Sequence, residues 1–314
     1  MAVMSYRPGR PRLGLRPQSG AGEGACSKSN GSAVLLSDAQ VPGVGHYATI
    51  TWITEPPSSQ VAGAARVLDH DQLLVFVGMD WRTPQRLGAT VEMALGGQPI
   101  VFNTTTSVHI PAGTPYSPLS WRELDRPHVL LSMVMGSGEA PAPRVVEPTN
   151  AGQELREEQP FDYEQYVIRS PMREAGPPHV DGRQNPTMTY LSRVQVRSVD
   201  NYLEFGWIWD VPRPSIPKMR HDNYDEIVFH IGSDPDHPEA LGGVLQFGIG
   251  DELLQFDRTH CAYVPRLLDH GPLLWKEVRR PLIEMALMLG AGTYDEGWEN
   301  SFFDLPDGHR RGAR

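Results

Sequence analysis

The sequence predicts an all-β protein made of two tandem copies of one small sandwich or barrel. Three observations carry this. Residues 77–127 align with residues 231–281 at a constant offset of 154 without a gap, and positions 78–138 hold 17 identities with their counterparts over 61 positions. Glycine (31) and proline (29) are abundant in the 314 residues, which favours turns and short strands over long helices. Each copy also contains apolar runs of strand length that end at Gly or Pro.

The elements follow in order. "HYATITWI" (46–53) opens the first copy, and "QLLVFVG" (72–78) is an apolar run closed by Gly78. "ATVEMAL" (89–95) alternates, "SVHIP" (107–111) is a short strand closed by Pro111, and "HVLLSMVMG" (128–136) is a long closing run. The second copy repeats the series as "YLEFGWIW", "EIVFHIG", "GVLQFGI", "CAYVP" and "LIEMALMLG". The closing runs are read as strands, although period alone does not separate them from a buried helix. "QYVIRSP" and "TMTYLSRVQVRSV" add strands ahead of the second copy. The division that results is a disordered leader over 1–33, a first unit over 34–138, a linker over 139–160, a second unit over 161–292, and a tail over 293–314. Pro8, Pro11 and Pro17 oppose an amphipathic helix in the leader despite Arg7, Arg10, Arg12 and Arg16.

Composition removes several function classes. A hydrophobic share of 39% allows a packed core, while a net charge of −10 without a basic stripe argues against nucleic acid as a partner. No apolar run reaches transmembrane length, so no membrane partner is expected. Only Cys26 and Cys261 are present, which excludes a disulfide framework and suits a reducing, cytoplasmic compartment. "GSGEAPAP" lacks a helix pattern after it and is linker rather than a phosphate cradle.

The chemistry-bearing stretch is "MRHDNYDEIVFHIG" (219–232). By itself, His221 followed by Glu226 reads equally as a polar turn between strands. Its pairing with Pro265-x-Leu267-x-x-His270 resembles the cupin superfamily, and the internal repeat resembles a bicupin. That family's first motif runs His-x-His, three or four residues, Glu, about six residues, Gly; its second runs Pro-x-Gly-x-x-His. The resemblance covers about residues 46–138 and 200–292. It implies two tandem jelly-roll barrels, with His221, Glu226 and His270 as metal ligands in the second. Met219 stands where the family has its first His, and Leu267 where it has Gly. Two imidazoles and a carboxylate suit one divalent transition metal, Fe(II) first, with Mn, Ni, Cu or Zn as alternatives. A thioether is a poor ligand for these ions, so Met219 is expected to pack.

At the offset of 154, Met219, His221, Glu226 and His270 correspond to Ala65, Val67, Gln72 and Tyr116. The first copy keeps the scaffold and lacks the ligands, so the fold does not need them. Two further residues are candidates for catalytic roles. Tyr224 could hydrogen-bond a bound substrate, and His260 could take the missing ligand's place. Adjacent strand residues face opposite ways, so only one of His260 and Cys261 points inward. Trp121 and Trp275 read as structural because both copies have them. Arg126 with Glu123, and Arg280 with Glu277, read as architectural pairs. His128, His230 and His237 lack metal-like spacing and are expected at the surface. The tail either packs across a partner subunit or is disordered. The resemblance implies a metal-dependent enzyme acting on a small molecule, foremost an Fe(II) dioxygenase or other oxidoreductase. The alternatives are a non-oxidative isomerase, decarboxylase or lyase, or a non-catalytic binder of small ligands. Exposed jelly-roll edges suggest a homodimer.

Overall fold

Strand bounds recur through the molecule at the offset seen in the sequence. The computed structural model describes residues 30–57, 64–146, 161–174, 180–298 and 301–302. The first barrel comprises β1 (Gly31–Leu36), β2 (His46–Ile53), β3 (Ala65–Val67), β4 (Gln72–Gly78), β5 (Arg86–Leu95), β6 (Gln98–Thr104), β7 (Thr106–Ile110), β8 (Ser120–Leu124), β9 (His128–Met135), β10 (Arg144–Val146) and β11 (Val167–Ile168). The second comprises β12 (Met172–Glu174), β13 (Asp181–Arg183), β14 (Thr187–Leu191), β15 (Asn201–Arg213), β16 (Asp225–Gly232), β17 (Ala240–Ile249), β18 (Glu252–Arg258), β19 (His260–Val264), β20 (His270–Val278) and β21 (Leu282–Leu289). A single helical turn, α1 (Tyr294–Trp298), follows. Adding 154 to the bounds of β5, β6, β7 and β9 gives those of β17, β18, β19 and β21.

Each barrel pairs a large sheet with a small one. The first has the order β1-β2-β9-β4-β7-β11 facing β6-β5-β8, with β10 paired to β3 at one end. The second has β12-β14-β15-β21-β16-β19, with β13 also on β15, facing β18-β17-β20. The two large sheets pack back to back. In β16, Ile227, Phe229 and Ile231 point outward into one apolar core together with Leu73, Val75 and Val77 of β4. The other face of β16 presents Glu226, Val228 and His230 to the barrel interior. Burial on both faces explains why "QLLVFVG" is apolar throughout and buried at every position. A strand with one wet face would alternate.

Several boundaries differ from the sequence reading. Gly31–Ala33, assigned to the leader, begin β1 and pair with β2. Arg144–Val146, assigned to the linker, form β10 against β3. Val167–Ile168, assigned to the second unit, add a strand to the first barrel's β7. The rest of the leader (1–29) and of the linker core (147–160) lies outside the described residues. "HVLLSMVMG" and "LIEMALMLG" are strands, each paired along both edges, the first with β2 and β4 and the second with β15 and β16. The expected Arg–Glu pairs are replaced by Arg126–Asp80 at 2.8 Å and Arg280–Asp234 at 3.0 Å, the same pair in each copy. His128 and His230 are fully buried rather than exposed, because their period along β9 and β16 turns them inward. Cys261 is a free thiol, and Cys26 lies outside the described residues. No helix among the described residues is long and apolar enough to cross a membrane.

Phe229 is fully buried at the junction of the barrels. Truncating it to Ala should cost about 3–5 kcal/mol, the usual range for a buried Phe. Because the core is shared, the denaturant midpoint should fall for both barrels in one transition, followed by circular dichroism and by tryptophan fluorescence.

Candidate metal centre

Three chain segments bring the ligand candidates together. His221 sits in the loop before β16, Glu226 is the second residue of β16, and His270 is the first residue of β20. The backbones of Met219 and His270 bond each other reciprocally at 2.7 and 2.9 Å, which fixes one loop against the strand. The Leu267 N–H donates to the His221 carbonyl at 2.7 Å, which ties down the other. Leu267 adopts φ +67, the left-handed conformation that Gly supplies more cheaply, so the turn geometry is kept at a cost of about 1–2 kcal/mol. His221, Glu226 and His270 are all buried, and one donor atom from each lies within 4.8 Å of the other two.

Hydrogen bonding sets the proton positions. The Tyr224 hydroxyl donates to the Gly297 carbonyl, and the Ser301 hydroxyl donates to the same carbonyl at 3.1 Å. Both hydroxyl oxygens therefore face His221 Nδ1 as acceptors, at 2.7 and 3.1 Å. This places the proton on Nδ1 and leaves the Nε2 lone pair free. His270 Nδ1 faces the Leu268 carbonyl at 3.2 Å, which has the same consequence. The two Nε2 atoms then point at Glu226 Oε2 from 3.4 and 3.2 Å. All three atoms are buried without a hydrogen-bond partner. Burial favours the neutral form of Glu226, and only positive charge at His221 and His270 outweighs it and holds the carboxyl well below the usual range; with both Nε2 atoms unprotonated, a cation between them has to supply that charge. Two lone pairs and a carboxylate converging in a dry site repel one another unless a cation sits between them. The donor set thus fits a divalent metal.

No protein-family model matches the chain, and no curated protein matches it. Solved structures do. A Bacillus subtilis oxalate decarboxylase variant superposes with a TM-score of 0.54 at 9% identity, over 86% of this chain and 75% of that one. The same organism's oxalate decarboxylase at pH 4.6 gives 0.51 at 9% identity, over 90% and 78%. The formate complex of Lactobacillus farciminis oxalate decarboxylase gives 0.50 at 10% identity, over 86% and 84%. The chain has the bicupin fold. Identity this low establishes the fold alone.

Beside its candidate metal ligands the second barrel carries a column of buried polar residues that the sequence reading missed. A narrow cavity of about 40 Å³ is bounded by Glu226, His270, Met219, Glu204, Glu284 and Arg183, among others. Glu204 faces Ala286 across β15 and β21. Burial pushes its carboxyl up to about 7, against the pull of Arg183 and of nearby polar groups, among them the Tyr202 hydroxyl, which donates to Glu204 Oε2 at 3.3 Å. Deeper in the barrel, Arg183 pairs with Glu284 at 3.1 Å, and Glu284 faces His230 Nε2 at 3.5 Å. An acid inside an otherwise apolar strand, as in "YLEFGW" and "LIEMAL", was the available signal. Such a residue points inward. Ser301 and Trp298 come from the tail, whose described residues lie against its own barrel, where Phe302 also bridges Met219. No sequence pattern announced this.

The two catalytic candidates take other places. Tyr224 does not face the cavity; it stacks on His221 with ring centroids 4.5 Å apart, and its hydroxyl is engaged by His221 and Gly297. It positions the ligand. His260 does point inward, with Cys261 outward against the Leu35 carbonyl. However, it pairs with His230 in the β16–β19 register while Val264 pairs with Glu226. That separation is four residues, about 13 Å along a strand. His260 stacks on Phe256 and bonds His230 at 3.1 Å, so it does not complete the ligand set. Met219 packs in the barrel's apolar cluster, as expected of a thioether.

Replacing Tyr224 by Phe removes one of the acceptors that fix the His221 tautomer. Metal affinity should drop about 10–100-fold, the usual loss when a ligand's orienting partner goes, while stoichiometry at saturation stays unchanged. Competition with a fluorescent chelator measures both.

Proposed function

We propose that the C-terminal barrel is a metal-dependent lyase that decarboxylates a very small organic acid. The observation that carries this is Glu204, a buried carboxyl that keeps its proton up to about pH 7, in the same narrow cavity as Glu226 and His270. His221 Nε2, Glu226 Oε2 and His270 Nε2 would hold one divalent ion, whose positive charge binds a substrate carboxylate. Fe, Mn, Ni, Cu and Zn all suit this set. Phe247, Leu273, Ile216 and Val228 line the remainder and keep water away from the reacting carbon. Cleavage of the carbon–carboxylate bond releases carbon dioxide and leaves the electron pair on carbon. The Glu204 carboxyl then donates its proton to that carbon and is reprotonated from solvent after product leaves. Arg183 and the Tyr202 hydroxyl hold Glu204 in place.

The likeness of the fold to oxalate decarboxylases supports the same reading, because those proteins by name remove carboxylate from a two-carbon acid. A cavity this small excludes bulky substrates. The oxygenase reading of the sequence has no comparable group in its favour, since dioxygen insertion does not call for a protonated carboxyl beside the metal.

The test is incubation of metal-loaded protein with two- to four-carbon mono- and dicarboxylic acids. Carbon dioxide should form without oxygen uptake. Turnover should fall as pH rises through about 7, where Glu204 loses its proton. Glu204→Gln should lower turnover about 10²–10⁴-fold, the range for losing a general acid, with metal content unchanged. Oxygen consumed in proportion to product would favour an oxygenase, and binding without turnover would favour a ligand-binding protein.

A further inference from the structure

In the metal-side cavity two acids compete for one guanidinium. Glu204, Glu284 and Arg183 all line it. Across β15 and β21, Glu204 faces Ala286 and Glu284 faces Gly206, so the two acids sit diagonally on one inner face. Burial favours the neutral form of both, and Arg183 pulls on both. Yet they end apart. Glu284 takes the ion pair with Arg183 at 3.1 Å and is held below the usual carboxylate range, while Glu204 is pushed up to about 7. A group on the Glu284 side decides which acid is ionised.

His230 stands there, and its protons follow from the outer end of a short series. His260 Nδ1 faces the Arg258 carbonyl at 2.7 Å; a carbonyl only accepts, so this nitrogen carries a proton. Burial, reinforced by His230, lowers the His260 imidazole to about 3, so it is neutral and its Nε2 holds a lone pair. His230 Nδ1 donates to that lone pair at 3.1 Å. His230 Nε2 then faces Glu284 Oε2 at 3.5 Å, and neither buried atom has a hydrogen-bond partner elsewhere. A lone pair would repel the carboxylate oxygen, so a proton belongs between them. With Arg183 on the other oxygen of Glu284, that proton sits on His230, which is an imidazolium. Phe247 and Trp275, its other ring neighbours, bring no titratable group. The fold does not require this series. At the offset of 154, Phe76, Thr106 and Leu130 stand where the second barrel has His230, His260 and Glu284.

We propose that His230 is a positioning residue that divides the roles of the two acids. By donating from Nε2 it fixes Glu284 as the carboxylate that takes Arg183. Glu204, left without a cation of its own, keeps its proton for the reaction. This rests on the reading of Glu204 as proton donor. Without the His230 donor the order reverses. Apart from Arg183, Glu284 would be left with the repulsion of Glu226, whereas Glu204 retains the Tyr202 hydroxyl at 3.3 Å. Arg183 then serves Glu204, which ionises, and Glu284 takes the proton.

Nuclear magnetic resonance of the zinc-loaded full chain tests this, with histidine labelled in its ring nitrogens and glutamate in its carboxyl carbon. His230, assigned as the resonance missing from His230→Gln, should carry a proton on both ring nitrogens at pH 7, and His260 on Nδ1 alone. The Glu204 carboxyl, assigned with Glu204→Gln, should titrate near 7 in the wild type. In His230→Phe its midpoint should fall by about one unit or more, the usual effect of an opposite charge brought alongside. His230→Gln, whose amide still donates to Glu284, should stay near the wild-type value. The alkaline limb of carbon dioxide release should move down with the midpoint, leaving His230→Phe about fivefold or more slower at pH 7. A bare His230 Nε2 at pH 7 overturns the proposal, and the wild-type spectrum reads this whether or not His230→Phe folds. A Glu204 midpoint that is the same in His230→Phe as in the wild type overturns it as well. A midpoint that moves as expected in a protein releasing no carbon dioxide from any acid upholds the division of the two acids and removes the decarboxylase reading instead.

Discussion

The two large sheets bury their outer faces against each other, and this contact governs what each barrel can contain. Leu73, Val75 and Val77 from one barrel and Ile227, Phe229 and Ile231 from the other belong to one apolar core. Every second residue of β4 and β16 is thereby committed to packing. The alternate residues face an interior that the contact does not constrain. The repeats have kept the committed positions apolar and diverged at the free ones, where Gln72, Leu74 and Phe76 in one copy meet Glu226, Val228 and His230 in the other. Chemistry could enter the second barrel without disturbing the join between the two.

That chemistry is costly to bury. Isolated charges in a dry interior destabilise a fold by several kcal/mol each unless they are paired. The second barrel meets this cost in two ways. Arg183 satisfies Glu284 deep in the barrel, and His230 and His260 bond each other beside it. Near the mouth, Tyr224, Ser301 and the Leu268 carbonyl hold both imidazoles with their lone pairs inward. There the remaining repulsion among His221, Glu226 and His270 is left for a cation to relieve. Glu204, whose carboxyl burial pushes up to about 7, lines the same cavity as both groups. From the tail, Ser301 faces His221, and Trp298 and Phe302 pack in the barrel's apolar cluster.

The sequence made the repeat and the strands legible because both rest on local pattern: apolar runs, Gly and Pro stops, and a gapless offset. The convergence of the three candidate ligands was legible because they sit beside motif-like turns. Glu204 and Glu284 were harder, since each is a lone acid in an apolar run, and its direction matters only once strand alternation is applied. The same omission placed His128 and His230 at the surface. His260 was correctly one of a pair with a single inward member, but its distance from Glu226 depends on the β16–β19 register, which no local pattern encodes. Ser301 and Trp298 reach the site through tertiary folding of an aperiodic tail. Leu267 holds a glycine's conformation without being glycine, so the motif's departure changed the residue and kept the turn.

The central claim is that the second barrel holds one divalent metal on three named atoms and the first holds none. Anomalous diffraction from crystals of the purified protein, recorded on both sides of the absorption edges of Mn, Fe, Ni, Cu and Zn, tests it most directly. The account predicts one peak per chain at about 2.0–2.2 Å from His221 Nε2, Glu226 Oε2 and His270 Nε2, the distances of metal–nitrogen and metal–oxygen bonds. A peak beside Gln72 and Tyr116, or none between the three ligands in crystals grown with those metals present, would contradict it.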